Sequence, residues 1–473
     1  GFRIDQSDES SSALTLGNHF YLVGAELNST VATVYSDWTE NFSTEVRVGH
    51  IDLDNTQEST DAASGFGEVR IESLIDPLTG DSTSGRIFIG PDDSRQSNDL
   101  NWSNQTIKLA GTYYADNHKI TGGYEREALD IFNIFMQHTI GEYRFGSFGR
   151  DGLADFENGR ADDIYYNNSA GTNNPIDAAG QFKYETHSAY IQDVWTLDEY
   201  DLTLTFGLRH DWITSNDKPT LSTAFADRYG YGNDATFDGL DVLQPRFAFN
   251  YAYSDVLEFR GGFGLYQGGN PNVWLSNSYS NDGVTNIDTY RRDFNLLDAN
   301  GNAIPGLISG QGRLVYDPLQ DQVDEVAANN PSPGNEPSTN SIDPNFEIPT
   351  EWKYSLGFVY DLGDGYIVEG DYLYTKKRDS ATIVDLSIEE VGTTIDGRPL
   401  FDKVGDRTGF KNDFQLTNAA NDGDSTTISF ALAKKYDFGL NMNVGYAYNE
   451  TSEYNPMTSA VAFSNYSNIA VSN

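Results

Sequence analysis

From Leu202 onward, apolar and polar residues alternate one for one. Leu202, Leu204, Phe206 and Leu208 share one parity; Thr203, Thr205, Gly207 and Arg209 share the other. Successive side chains of a strand point to opposite faces, so this segment has one oily and one wet face. Phe247, Phe249, Tyr251 and Tyr253 repeat the pattern against Arg246, Ala248, Asn250 and Ala252. Leu257, Phe259, Phe263 and Leu265 do so against Glu258, Arg260, Gly262 and Gly264. Trp352, Tyr354, Leu356, Phe358 and Tyr360 alternate with Lys353, Ser355, Gly357, Val359 and Asp361, and residues 426–432 and 440–448 close the series. A hairpin of residues 29–35 and 44–53 and another of 106–114 and 119–125 precede them.

The hairpin turns are very short: residues 37–41, Asp116-Asn117, Asp198 to Tyr200, Ser254-Asp255, 363–365 and 436–438. Between hairpins run long connections rich in Gly, Asn and Asp; the first holds two small strands at 68–73 and 86–89, and residues 130–143 lead up into another. Alternating short turns and long loops are the grammar of a transmembrane β-barrel. A soluble two-sheet sandwich also alternates, but without this division into two length classes. The expectation is all-β: an antiparallel transmembrane β-barrel, partial, with roughly twelve strands of roughly 9–11 residues each, short periplasmic turns and long extracellular loops. The longest connection, 268–349, contains Pro331, Pro333 and Pro337 and is expected to be mobile in part.

Composition narrows the reading. The chain has 473 residues of even texture and no Pro/Ser linker, so residues 1–473 read as one barrel domain. Aromatics make up 13%, which suits the girdles of a barrel. Mean hydropathy is −0.52, as expected where only alternate strand residues meet lipid. No apolar run is long enough for a membrane helix, and no signal peptide is recognisable at the start. Cysteine is absent, which excludes thiolate metal sites, disulfides and thiol catalysis. Net charge is −41, which argues against nucleic acid as a partner. Much of the acid falls in loops, at Asp151, Asp155, Glu157, Asp162 and Asp163 and at Asp317, Asp321, Asp324 and Glu325. A solvated acidic surface is the plain reading; divalent-cation binding is the sharper one.

Several stretches carry a resemblance. Residues 269–283, which contain Asn270-Pro-Asn-Val-Trp274, follow the strand Arg260-Gly-Gly-Phe-Gly-Leu-Tyr266. With Tyr190-Ile-Gln-Asp-Val-Trp195, Leu243-Gln-Pro-Arg-Phe247, Pro349-Thr-Glu-Trp-Lys-Tyr-Ser355 and Asn455-Pro-Met-Thr-Ser-Ala-Val-Ala-Phe463, they resemble the Oar-like group of TonB-dependent outer-membrane transporters. The resemblance implies a closed barrel of roughly twenty-two strands, filled by a plug domain and driven through a TonB box. It also implies a location in the cell outer membrane, with lipid, the TonB system and an extracellular ligand as partners. Nothing before Ser29 reads as a plug or TonB box, and the chain stops at Asn473 without a terminal strand. The expectation is therefore a part of a longer protein, with plug, TonB box and C-terminal strands outside it. The work expected is uptake of a nutrient such as a peptide or glycan fragment. A passive porin or adhesion barrel is the first alternative, and a soluble acidic secreted β protein the second.

Candidate chemistry is sparse. The six histidines (His19, His50, His118, His138, His187 and His210) form no metalloprotease motif, although His187 and His210 flank one hairpin. Asp298-Ala-Asn-Gly-Asn302 starts like a calcium loop, but Ser309 stands where its last ligand belongs. Gly262-Phe-Gly264 lies inside a strand, where it leaves room for a neighbour rather than for a dinucleotide. No catalytic arrangement, metal site or cofactor is expected. Arg47, Arg209, Arg246, Glu258 and Arg260 sit on the wet parity and should face the lumen, since Arg at mid-membrane costs about 2–4 kcal/mol. Asn272, Trp274, Asn277 and Tyr279, in the long loop, are the candidate ligand contacts.

Overall fold

The computed structural model describes residues 2–3, 13–60, 66–72, 79–80, 85–147, 150–268, 272–304, 314–331, 336–405, 407, 411–455 and 457–469. Ser73, Gly269, Asn270, Pro271, Pro333 and Pro456, which figure in the sequence reading, lie outside these residues. Twelve long strands form one antiparallel sheet in chain order: β1 (Tyr21–Thr39), β2 (Phe42–Ser59), β3 (Ser97–Ala115), β4 (His118–Met136), β5 (Gly180–Leu197), β6 (Leu202–Thr214), β7 (Asp241–Ser254), β8 (Leu257–Gln267), β9 (Thr350–Gly363), β10 (Tyr366–Arg378), β11 (Asp424–Lys435) and β12 (Asn441–Ser452). A two-residue strand, Phe2–Arg3, adds to the outer edge of β1. Among the described residues β12 pairs only with β11, so the sheet has open ends.

The short turns stand where the alternation puts them, and left-handed residues close four of the six. Asp116 has φ 49°, and Gly363, Asp364 and Gly365 all have positive φ, a conformation open to Gly and tolerated by Asp. The strands themselves run longer than the alternation indicates. β3 and β4 have 19 residues each, well beyond the span of a bilayer.

Over most of the wall the oily parity faces outward and is exposed, while toward the upper strand ends Leu265 and Trp352 pack into the core of the cap. Phe206, Phe247, Phe263, Tyr354 and Tyr374 stand opposite one another across β6 to β10. Their rings meet laterally at 5.4, 5.6, 6.4 and 6.0 Å, a row of aromatics around the wall. Leu109, Ile191, Leu356 and Phe430 are exposed on strand surfaces, Leu356 at 54%. Such a band fits hydrocarbon and not water. Glycines seat some of the rings. A Cβ at Gly370 would come within 2.6 Å of the Phe358 ring.

The long connections are folded where they are described; residues 269–271, 305–313 and 332–335 of the longest one lie outside the described residues. Strands Asn286–Asn295, Arg160–Ser169, Glu142–Phe145, Glu68–Glu72, Arg86–Ile89 and Ala13–Thr15 form a second, mixed sheet in that order. Its core comprises Val69, Ile71, Tyr143, Phe145, Ala161, Ile164 and Leu296. A three-stranded sheet of Thr339–Ile342, Asp413–Asn418 and Ala381–Asp385 joins the upper wall through Ile131, Phe182, Ile213, Leu275, Ile383 and Phe414. The best-packed cores therefore lie in this outer cap.

Candidate functional site

Between the wet face of the wall and the cap lies a cavity of about 2030 Å³. β3 contributes Asn98, Trp102 and Asn104; β4 contributes Glu127, Ile131 and Asn133. Residues of equal parity on β5, β6 and β7 continue the wall with Tyr184, Arg209, Asp211, Gln244 and Arg246.

A polar chain ties this wall together. Arg209 donates to Glu125 (3.0 Å), Asp211 (2.8 Å) and Ser188 (2.6 Å). Gln244 donates to Asp211 (2.5 Å) and accepts from Arg246 (3.2 Å). Arg246 lies over the Tyr266 ring at 4.4 Å, and a Cβ at Gly264 would press on both side chains. Among the described residues Arg246 has no carboxylate partner, and its Nε has no hydrogen bond. Arg260 pairs with Asp371 at 2.9 Å across β9, over Gly357, where a Cβ would meet both partners. Arg47 pairs with Glu45 at 3.0 Å, and Glu258 accepts from Asn250 at 2.9 Å. Arg47, Glu258 and Arg260 do not line the cavity. Arg47 stands opposite Lys108, which shares the parity of the cavity residue Asn104 and lies nearer the short turn.

Residues Asn272–Ser280 form a helix, where the sequence reading expected a loop. Its positions Val273, Ser276, Asn277 and Ser280 recur at helical spacing and line the cavity, together with Asn272. Asn272 accepts a hydrogen bond from the Tyr184 hydroxyl. Trp274 and Tyr279 turn elsewhere. Trp274 donates to the Ser459 carbonyl (3.1 Å) beside a smaller recess of about 350 Å³. Tyr279 is buried, stacks on Phe182 at 4.5 Å and donates to the Asp217 carbonyl. The helix is thus pinned by its aromatics and presents its amides.

The cap side centres on residues that the sequence reading passed over. Tyr165 and Tyr290, paired across adjacent strands, meet at 5.1 Å. Arg144 lies over Tyr165 at 4.6 Å, Arg292 over Tyr290 at 5.3 Å, and His138 stacks on Tyr165 at 5.1 Å. All five line the cavity. Behind them lies a buried ionic cluster. Glu142, 0% exposed, receives Arg144 through two hydrogen bonds (2.5 and 2.8 Å). His138 Nε2 reaches Glu142 at 3.0 Å and Asp93 at 3.2 Å. Burial by itself would lower the His138 imidazole, but hydrogen bonds to Asp93 and Glu142 outweigh it and lift it to about 9. Burial opposes ionisation of Asp93 too, yet the His138 hydrogen bond and charge bring it down to about 2. Glu142 is likewise held below its ordinary value despite burial. Glu68, buried beside Asp93 and Glu142, is pushed well up.

Two groups here place donor atoms within 4.8 Å of one another: Asp93, His138 and Glu142, and Glu68, Asp92 and Asp93. In the first group the charges of His138 and Arg144 already balance the two carboxylates. The acidic loops are only partly a solvated surface. Asp162 and Asp163 are buried, with Asp162 against Arg150, while Asp321 and Glu325 hold Arg291 at 2.9 and 2.8 Å. Asp298 closes a plain turn by accepting from the backbone N–H groups of Asn300 and Asn302. His187 and His210 meet through Trp212, on which both stack.

The profile of the outer-membrane β-barrel domain family matches residues 6–471. No curated protein matches the chain. Among solved structures, the outer membrane transporter YddB from Escherichia coli aligns with TM-score 0.53 at 12% identity, covering 93% of this chain and 43% of that one. The FrpB iron transporter from Neisseria meningitidis (F5-1 variant) aligns with TM-score 0.45 at 11% identity, covering 93% and 46%. The siderophore receptor PirA from Acinetobacter baumannii aligns with TM-score 0.44 at 12% identity, covering 92% and 45%. At 12% identity the likeness to YddB is one of fold, and the chain spans less than half the length of these three proteins.

Proposed function

The chain belongs to the outer-membrane β-barrel domain family, and from that premise we propose that it is the wall and capture portion of a TonB-dependent transporter that takes up a nutrient. The cavity under the cap carries this reading. Porin-type diffusion needs an open bore, whereas here the long connections fold over the wet face and line a partly open chamber of about 2030 Å³. Strand ends with unpaired backbone groups are costly in hydrocarbon, which supports further strands completing the wall. A plug and contact with the TonB system complete the proposal.

The test is energy dependence. Cells with and without the encoding gene are fed a yeast-extract hydrolysate, and depletion of each component is followed by mass spectrometry. The expected result is gene-dependent loss of a component that stops when an uncoupler collapses the inner-membrane gradient. Gene-dependent loss that continues with the uncoupler identifies a passive pore and overturns active uptake. Deleting residues 272–280, with barrel assembly verified by heat-modifiable gel mobility, should abolish the same uptake.

A further inference from the structure

The cavity has a charge opposite to that of the molecule. The whole chain carries 30 Lys and Arg against 71 Asp and Glu. The cavity lining contains six arginines and Lys411 against only four carboxylates, Glu127, Asp211, Asp288 and Glu325. The orientation of the ion pairs sharpens the contrast. Arg144 and Arg292 line the cavity, while their partners Glu142 and Asp163 are buried and do not. Each pair is thus a dipole with its positive end toward the chamber. Arg246 adds a guanidinium with no carboxylate partner among the described residues. A cleft lined by an excess of one sign of charge focuses such a field.

The rest of the lining is adapted to a polar body. Fifteen of the forty-five lining residues are Asn or Gln, each offering both donors and an acceptor. Asn167 and Asn286 lie further along the same two strands, on one side of the Tyr165–Tyr290 pair, and among the described residues their side-chain oxygens have no hydrogen-bond partner. The volume exceeds that of an ordinary small-molecule pocket of about 300–1,000 Å³.

We propose that the cavity binds a polyanionic oligomer, a molecule with several carboxylates on a hydroxyl- or amide-bearing backbone, held by Arg246 on the wall and by Arg144 and Arg292 on the cap. This deepens the uptake reading and rests on it. Planar guanidinium forks match carboxylates two oxygens at a time, and an acidic ligand would give the half-buried Arg246 guanidinium a carboxylate partner. Such an oligomer has two natural sources, an acidic glycan and an acidic peptide, which the test separates.

The full chain in detergent micelles is titrated calorimetrically with trigalacturonate, with triglutamate, and with the uncharged partners galactotriose and triglutamine. One acidic trimer is expected to bind at least roughly tenfold tighter than its uncharged partner, and which of the two does so names the source. Arg246→Gln should weaken the acidic trimer by roughly ten- to hundredfold and leave the uncharged one unchanged. Arg246→Lys should restore part of the loss, which a merely misfolded variant would not. Added NaCl should weaken only the acidic trimer. Equal affinity for charged and uncharged trimers, or acidic affinity indifferent to Arg246→Gln, overturns the proposal. Charge-selective binding without gene-dependent uptake leaves this inference intact and refutes transport instead.

Discussion

Glu142 holds two cations at once, and each matters to a different partner. It fixes the Arg144 fork under Tyr165 and helps keep His138 charged. Removing one member of a buried ionic cluster leaves the others uncompensated, so Glu142→Gln should destabilise the cap by about 3–5 kcal/mol. Limited proteolysis should show cleavage in residues 138–170 while the wall stays intact. The same cluster sets a pH window. Asp93 is held below its ordinary value, so its contribution is present above about pH 4 and disappears as pH falls toward 2. His138 is held above its ordinary value, so its contribution is full below about pH 6.5 and disappears as pH rises through 9. Cap protection, read by hydrogen exchange, should therefore be greatest between about pH 4 and 6.5. None of this was legible in sequence. Asp93 and His138 arrive from different connections, and only the alternation of Glu142 and Arg144 with the buried aromatics Tyr143 and Phe145 hinted at charges held inside a fold. The wet parity, by contrast, named Arg209 and Arg246 directly.

At the level of elements, period-two alternation located all six hairpins and their turns, because lipid on one face and water on the other impose one polarity on each parity. It failed at the upper strand ends. In β4 the cavity parity changes from Glu125 and Glu127 to Leu129 and Ile131, because there the inner face meets the core of the cap rather than water. The helix Asn272–Ser280 escaped notice for a related reason. Its buried positions mix Leu275 and Tyr279 with Ser276, Ser278 and Ser280, so no apolar stripe marks the turn repeat. The two faces of β9 give a direct test. Leu356→Arg should cost about 2–4 kcal/mol in urea unfolding from vesicles, and Ser355→Arg, on the opposite face, about 0–1 kcal/mol. Gly357→Val should separate Arg260 from Asp371 and slow assembly, measured as a delayed heat-modifiable band.

The described residues build a wall of twelve long strands beneath a folded cap, in a chain that is acidic overall and has a basic chamber lining. The wall could be foreseen; the cap could not, since its sheet draws strands from the N-terminal segment and three separate connections. Arg160–Ser169 is paired on both sides, so deleting residues 160–169 should loosen its neighbours together. Surface trypsin treatment of intact cells is expected to cut the deletion variant at several cap sites and the parent slowly.

Thr289 hydrogen-bonds to Tyr166 across 123 positions of sequence. That stitch cannot close until β5 to β8 have been laid down between its two ends. The roof of the chamber on this side therefore closes only after eight of the twelve wall strands have been synthesised.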